Sequence, residues 1–92
     1  MQPIQIGNDN LNATFISYGA RIVDIRMVKN DIPLILGFPN IPDYINDSSY
    51  LGAVVGRVAN RIASGKTKIG SDFYEFDKNE HSVQTLHGGA KG

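Results

Sequence analysis

Two short polar stretches interrupt an apolar, glycine-punctuated chain: Gly56-Arg57-Val58-Ala59-Asn60-Arg61-Ile62 and Leu86-His87-Gly88-Gly89. Arg61 carries a planar fork of N–H donors, and the amide of Asn60 beside it can both donate and accept. That pairing suits the vicinal hydroxyls of a neutral polyol. The competing reading is an arginine in a surface salt bridge and an asparagine in a turn. His87 stands before two glycines, which let the backbone turn tightly and leave the imidazole room to approach a ligand. Its competing reading is a structural turn. Arg57 shares a face with Arg61 if the segment is extended, and its Gly and Val neighbours suit a structural donor to carbonyls or a carboxylate. His81, inside Lys78-Asn79-Glu80-His81-Ser82, reads as a solvated loop histidine.

Other chemistry is missing from the pattern. There is no phosphate loop ending in Lys-Ser/Thr, no nucleophile elbow, no His-Glu-x-x-His helix and no calcium loop. The chain has no cysteine, which removes disulfides, thiolate chemistry and sulfur-ligated metals and fits a reducing, cytoplasmic setting. Nine Lys plus Arg balance nine Asp plus Glu, so no basic field exists for a nucleic-acid backbone. No stretch approaches the roughly 20 apolar residues that cross a bilayer, and Met1-Gln2-Pro3 does not open a signal peptide. Neither nucleic acid nor membrane is expected as a partner.

The elements that must position the polar stretches read as strands. At 92 residues there is room for one domain or part of one, residues 1–92, with a modest core. Ten glycines and four prolines cut the apolar runs short, which favours β structure over helix. Leu11, Ala13 and Phe15 alternate with Asn12 and Thr14; after a turn at Tyr18-Gly19, Val23, Ile25 and Met27 alternate with Asp24 and Arg26. These two runs predict a hairpin. Lys29-Asn30-Asp31 reads as a turn before a strand over residues 32–38, and Asn40 to Ile45 as a short helix capped by Asn40 with Pro42 in its first turn. Lys66–Ile69 and Phe73–Asp77 predict a second hairpin around a three-residue turn, Gly70-Ser71-Asp72, with Tyr74 and Phe76 facing the core. Residues 79–92 read as loop.

Residues 50–63 are ambiguous. Leu51, Val55, Val58 and Ile62 fall at helical spacing, but Gly52 and Gly56 would each cost a helix about 1 kcal/mol. Extended structure with turns is the preferred reading.

The run from Gly52 to Lys66, a strand–turn–strand, and then Leu86-His87-Gly88-Gly89 together resemble the opening section of the aldose 1-epimerases, the galactose mutarotases. Phe15 to Ala20 is similar to that family's first hairpin, Leu34 to Phe38 to its next strand, and Asp43-Tyr44-Ile45 to the short helix that follows. The resemblance spans essentially the whole chain. It implies an all-β fold, antiparallel strands forming the N-terminal part of a galactose-mutarotase-like β-sandwich with one short helix.

The resemblance further implies interconversion of the α- and β-anomers of a free aldose such as galactose or glucose, without cofactor or metal. A carboxylate takes the proton of the anomeric hydroxyl while an imidazolium protonates the ring oxygen; the ring opens to the aldehyde, rotates and recloses on the other face. Asn60 and Arg61 match the pair that contacts sugar hydroxyls, and His87 the histidine that holds and polarises the sugar near its ring oxygen. The family's glutamate base, acid histidine and gripping aspartate lie downstream of His-Gly-Gly, so the expected catalytic set is incomplete within 92 residues. Three readings follow: an epimerase portion without turnover of its own, a non-catalytic carbohydrate-binding module, and a structural or interaction module with no ligand. Uncovered sheet faces, with Phe15, Ile25, Leu36 and Phe76 meeting water, predict a homo-oligomer.

Overall fold

A computed structural model describes residues 1–91. The chain forms two compact units, Met1–Val54 and Val55–Gly92. Both are built from antiparallel strands, as the short alternating runs require, and helical geometry is limited to single 3-10 turns. The all-β expectation holds, while the short helix shrinks to one 3-10 turn at Ile41–Tyr44. Asn40 does stand at its N-terminus with Pro42 in the first turn, although the Asn40 amide bonds Asp43 rather than capping a backbone N–H.

In the first unit, strands β1 (Ile4–Gly7), β2 (Leu11–Ile16), β3 (Arg21–Met27) and β4 (Asn30–Pro33) form a meander in chain order. The β2–β3 hairpin is the one the alternation predicted. A bulge after Thr14 moves the register so that Phe15 pairs with Ile22 rather than Val23, a local twist that alternation does not reveal. Two expectations are corrected. Asn30 and Asp31 belong to β4, not to a turn, and the strand expected over residues 32–38 ends at Pro33. Proline has no N–H to continue a ladder, and after Leu34 donates to the Ile25 carbonyl the chain bends away.

The core of this unit is small and partly polar. Ile16 and Tyr44 are its fully buried apolar side chains. The Tyr44 hydroxyl accepts from Phe38 N–H at 2.9 Å, and its ring meets Phe38 edge-on at 5.0 Å. Gly37 permits this approach, since a Cβ there would lie 2.7 Å from the Tyr44 hydroxyl. Arg21 is buried beneath them, its guanidinium between the Tyr18 and Tyr44 rings and paired with Asp47 at 2.7 Å.

In the second unit β6 (Lys66–Ile69) pairs with β7 (Asp72–Glu75), and β5 (Arg61–Ile62) pairs with β8 (Thr85–Leu86). Ile69 pairs with Asp72, so the β6–β7 turn has two residues, Gly70 and Ser71, not three. Gly70 takes φ +62°, the left-handed value such tight hairpins favour at their first central position. Tyr74 is exposed rather than core-facing and Phe76 is half-buried. Residues 50–62 form no helix, in keeping with the extended reading, and Ala63 opens a 3-10 turn, Ala63–Gly65. The loop expected after residue 79 contains β8, and that strand decides where His87 lies.

Candidate functional site

The β5–β8 pair brings Asn60, Arg61 and His87 together. Arg61 faces Leu86 across the ribbon, so the residue before one strand meets the residue after the other. The two are joined twice: His87 N–H donates to the Asn60 carbonyl at 2.9 Å, and Asn60 N–H donates to His87 Nδ1 at 3.0 Å. Asn60 (φ +60°) and His87 (φ +50°) both sit in the left-handed region, where asparagine and histidine are among the better tolerated non-glycine residues. Gly88 and Gly89 follow with φ +88° and +98°, and Gly89 is buried against Asp77, where a Cβ would come within 3.2 Å.

The second Asn60 contact fixes the histidine's chemistry. A backbone N–H can only donate, so Nδ1 must accept, and the neutral imidazole then carries its proton on Nε2. His87 is thereby a hydrogen-bond donor, half-buried, of the kind an ether or hydroxyl oxygen accepts.

Arg61 extends toward solvent, with its side chain 54% exposed, yet its direction is set. Nε and Nη2 donate side-on to the two carboxylate oxygens of Glu80 at 2.5 and 2.9 Å. Nη1 lies 3.5 Å from Asn60 Oδ1, so the guanidinium edge and the amide stand side by side. Gln84 donates a further hydrogen bond to Glu80 Oε1. The guanidinium, and after it the Gln84 amide, pull the Glu80 carboxyl down to about 2, and the Glu80 carboxylate raises Arg61 in turn. At neutral pH the pair is fully ionised and carries no net charge.

Sequence reasoning singled out Asn60, Arg61 and His87 but not what holds them. Glu80 and Gln84 form their own two-residue bridge just before β8. Asn79 flanks the same strand with its side chain: Oδ1 accepts Leu86 N–H at 2.8 Å and Nδ2 donates to the Leu86 carbonyl at 2.9 Å. The Asn79 amide thus takes the place of a neighbouring strand. Thr85, fully buried, donates from its hydroxyl to the Asp77 carbonyl at 2.6 Å. Nothing in residue type or spacing announces these contacts, because each joins a short loop to itself.

Arg57, the other arginine of the segment, takes φ +54° in a turn and is exposed. His81 is likewise exposed. Among the described residues no three His, Asp or Glu side chains converge as metal ligands would. The sheet of the first unit bears an open groove of about 550 Å³ lined by Gln5, Asn12, Thr14, Asp24, Arg26 and Asp31 among others. There Arg26 is already bonded to Asp24 and Asp31, and none of Asn60, Arg61 and His87 lines it.

Comparison with known proteins identifies the family. A family profile, Aldose 1-epimerase, matches residues 2–92. The chain is 37% identical over 100 residues to a probable aldose 1-epimerase of Arthroderma benhamiae, covering all of this chain and 23% of that protein. It is 36% identical over 95 residues to the galactose mutarotase of Mus musculus, covering all of this chain and 28% of that one. Among solved structures, a GalM/aldose epimerase homologue from C. elegans superposes with a TM-score of 0.84 at 30% identity, over 97% of this chain and 28% of that one. Galactose 1-epimerase from Lactobacillus acidophilus gives 0.78 at 26% identity, over 95% and 26%. The chain therefore spans about a quarter of the length of these relatives. On the profile match across its length and on these likenesses, the chain belongs to the aldose 1-epimerase family.

Proposed function

We propose that this chain is the hydroxyl-gripping part of an aldose 1-epimerase, holding a free aldohexose such as galactose or glucose through Asn60, Arg61 and His87. The observation that carries the reading is the double hydrogen bond between Asn60 and His87, which sets a donor imidazole beside the Arg61 fork. Arg61 donates to hydroxyl oxygens, the Asn60 amide donates to one hydroxyl and accepts from its neighbour, and His87 Nε2–H donates to the ring oxygen or an adjacent hydroxyl. Anomer interconversion in the whole enzyme needs a base on the anomeric hydroxyl and an acid at the ring oxygen besides this grip.

The 92 residues alone bind without turning the sugar over. Their two glutamates are Glu75 and Glu80. Glu80 is bonded to Arg61 and held near pKa 2, too weak a base for a hydroxyl proton, and Glu75 stands in the β7 hairpin strand. Binding hydroxyls equally in ground and transition states leaves the ring-opening barrier where it was. Neither a cofactor nor a metal enters this scheme, and the cysteine-free composition supports a cytoplasmic setting.

A non-catalytic, self-associating β module is favoured by one separate observation, the exposure of large apolar side chains. Leu36 is 80% and Phe73 79% exposed, with Ile4, Ile6, Val54 and Ile69 also open to water. This association is compatible with sugar binding. The deciding experiment is titration of the chain with D-galactose and D-glucose followed by amide NMR, alongside polarimetry of freshly dissolved α-anomer. The reading expects saturable shifts at residues 60, 61 and 87 with no acceleration of anomer equilibration. Galactose that leaves those three amides unmoved would refute the site, and equilibration faster than buffer would refute the division of labour.

A further inference from the structure

We infer that Glu80 is a positioning residue for the sugar grip: by clamping Arg61 side-on through Nε and Nη2, it presents the Nη1 edge beside Asn60 Oδ1 as one donor–acceptor pair for a vicinal diol. This rests on the monosaccharide reading above and deepens it.

A half-exposed arginine left to itself samples many rotamers, and a ligand must pay for selecting one of them. Here the selection is made beforehand. The Glu80 side chain is 14% exposed against 54% for Arg61, so the carboxylate is the anchored member and the guanidinium the one reaching outward. The anchor is itself held. Gln84 donates to Oε1, and the backbones of Glu80 and Gln84 bond each other at 3.1 and 3.3 Å. Gln84 immediately precedes β8, the strand that pairs with Arg61's own β5, so clamp and guanidinium ride on one ribbon.

The geometry assigns the donors. Side-on pairing occupies Nε–H and one Nη2 hydrogen, and one Nη1 hydrogen is directed at Asn60 Oδ1, leaving the second hydrogens of Nη1 and Nη2 for a ligand. Asn60 Oδ1, accepting from Nη1 at a long 3.5 Å, keeps a second lone pair next to those donors. Neighbouring hydroxyls need such a pair, one accepting a hydrogen bond while the next donates. The carboxylate also cancels the guanidinium charge, so the grip suits a neutral sugar. An uncompensated arginine would instead favour an anion such as a sugar phosphate.

The test uses the full chain and its Glu80→Gln, Glu80→Ala and Arg61→Ala variants, with hydrogen exchange of the Arg61 Nε–H and the galactose dissociation constant read separately by NMR. Glu80→Ala is expected to speed Nε–H exchange and to weaken galactose binding, each by about tenfold. Glu80→Gln, nearly the same shape without the charge, should fall between and should narrow the preference for galactose over galactose 6-phosphate. Lowering the pH of the wild type from 5 to about 2 should reduce the protection of Nε–H, relative to its intrinsic exchange rate at each pH, toward that of Glu80→Ala, whose own protection should not change. Unchanged Nε–H exchange in both Glu80 variants, or unchanged galactose affinity in both while Arg61→Ala abolishes binding, would overturn the positioning role alone. A wild type that does not bind galactose, or binds it equally well as Arg61→Ala, would overturn the sugar reading and this role with it.

Discussion

Both units hold a close arginine–carboxylate pair, Arg21–Asp47 in the first and Arg61–Glu80 in the second, and the two differ in how much water they meet. In Met1–Val54 the partners are Arg21 and Asp47, whose side chains are 6% and 5% exposed. Asp47 is further bonded by the Ser49 N–H and hydroxyl and by Leu51 N–H, and the Arg21 guanidinium lies between two tyrosine rings. In the second unit Arg61 and Glu80 make an equally direct pair at the surface. In a buried pair, removing one partner strands a charge in low dielectric. A half-exposed pair contributes little to stability but can keep a guanidinium edge facing a ligand. An arginine and a carboxylate are thus structural in the first unit, while in the second the proposed role of the pair is recognition.

The strongest way to sharpen that contrast is Asp47→Ala. It leaves Arg21 buried and unpaired, an expected loss of about 3 kcal/mol or more, which thermal unfolding should report as partial or complete loss of the first unit's structure. Arg61→Ala should do the reverse, abolishing detectable galactose binding while the unfolding midpoint stays close to wild type. A midpoint drop as large as that of Asp47→Ala would erase the distinction. Gly65→Ala probes the second unit's own rigidity. Gly65 takes φ +64°, and a Cβ there would lie 2.7 Å from the Phe76 carbonyl and 3.1 Å from Thr85 Oγ1, just ahead of the site. A loss of about 1–3 kcal/mol is expected, with weakened binding as Thr85 and β8 shift.

Acid should separate the pairs more gently. Both carboxyls are lowered on folding, Glu80 from 4.5 to about 2 through Arg61 and Gln84, and Asp47 further still through the Ser49 hydroxyl. A depressed carboxyl stabilises the fold above its unfolded value and loses that contribution as pH falls through its folded value. Between pH 4.5 and about 2 the Arg61–Glu80 clamp should open while Arg21–Asp47 persists. Amide NMR across that range should show residues 60, 61, 80 and 84 shifting before residues 21, 47, 49 and 51. The opposite order would contradict the assignment of roles. The mildest expected effect is on association: exposed Leu36 and Phe73 should raise the eluted mass with concentration, and Phe73→Ser should reduce it. A mass that is monomeric at every concentration would remove the self-association proposal.

What the sequence revealed follows from where the information resides. The β2–β3 and β6–β7 hairpins were legible because alternation and a glycine turn are local properties. The candidate residues Asn60, Arg61 and His87 could be singled out as well, through the order and spacing of their two motifs together rather than through either motif alone. The strand at Thr85–Leu86 was not legible. Two residues carry no period, and its partners are Asn79 through a side chain and β5 through a contact far along the chain. Glu80 was passed over because it looks like any loop carboxylate until β8 turns it toward Arg61. β1 escaped for a similar reason: Ile4 and Ile6 are exposed and paired only through backbone to β2, so no buried face marks them. Proline at position 33 stopped a strand that hydrophobic alternation would have carried to Phe38.

The account stands on convergence of Asn60, Arg61 and His87 upon one sugar. Its most direct test is a galactose titration that follows the His87 ring nitrogens by NMR, in the wild type and in Arg61→Ala. Saturable perturbation of Nε2, with Nδ1 retaining its bond from Asn60 N–H and the whole response lost in Arg61→Ala, is the predicted result. A perturbation of His87 that survives Arg61→Ala undiminished, or no perturbation at saturating galactose, would contradict it.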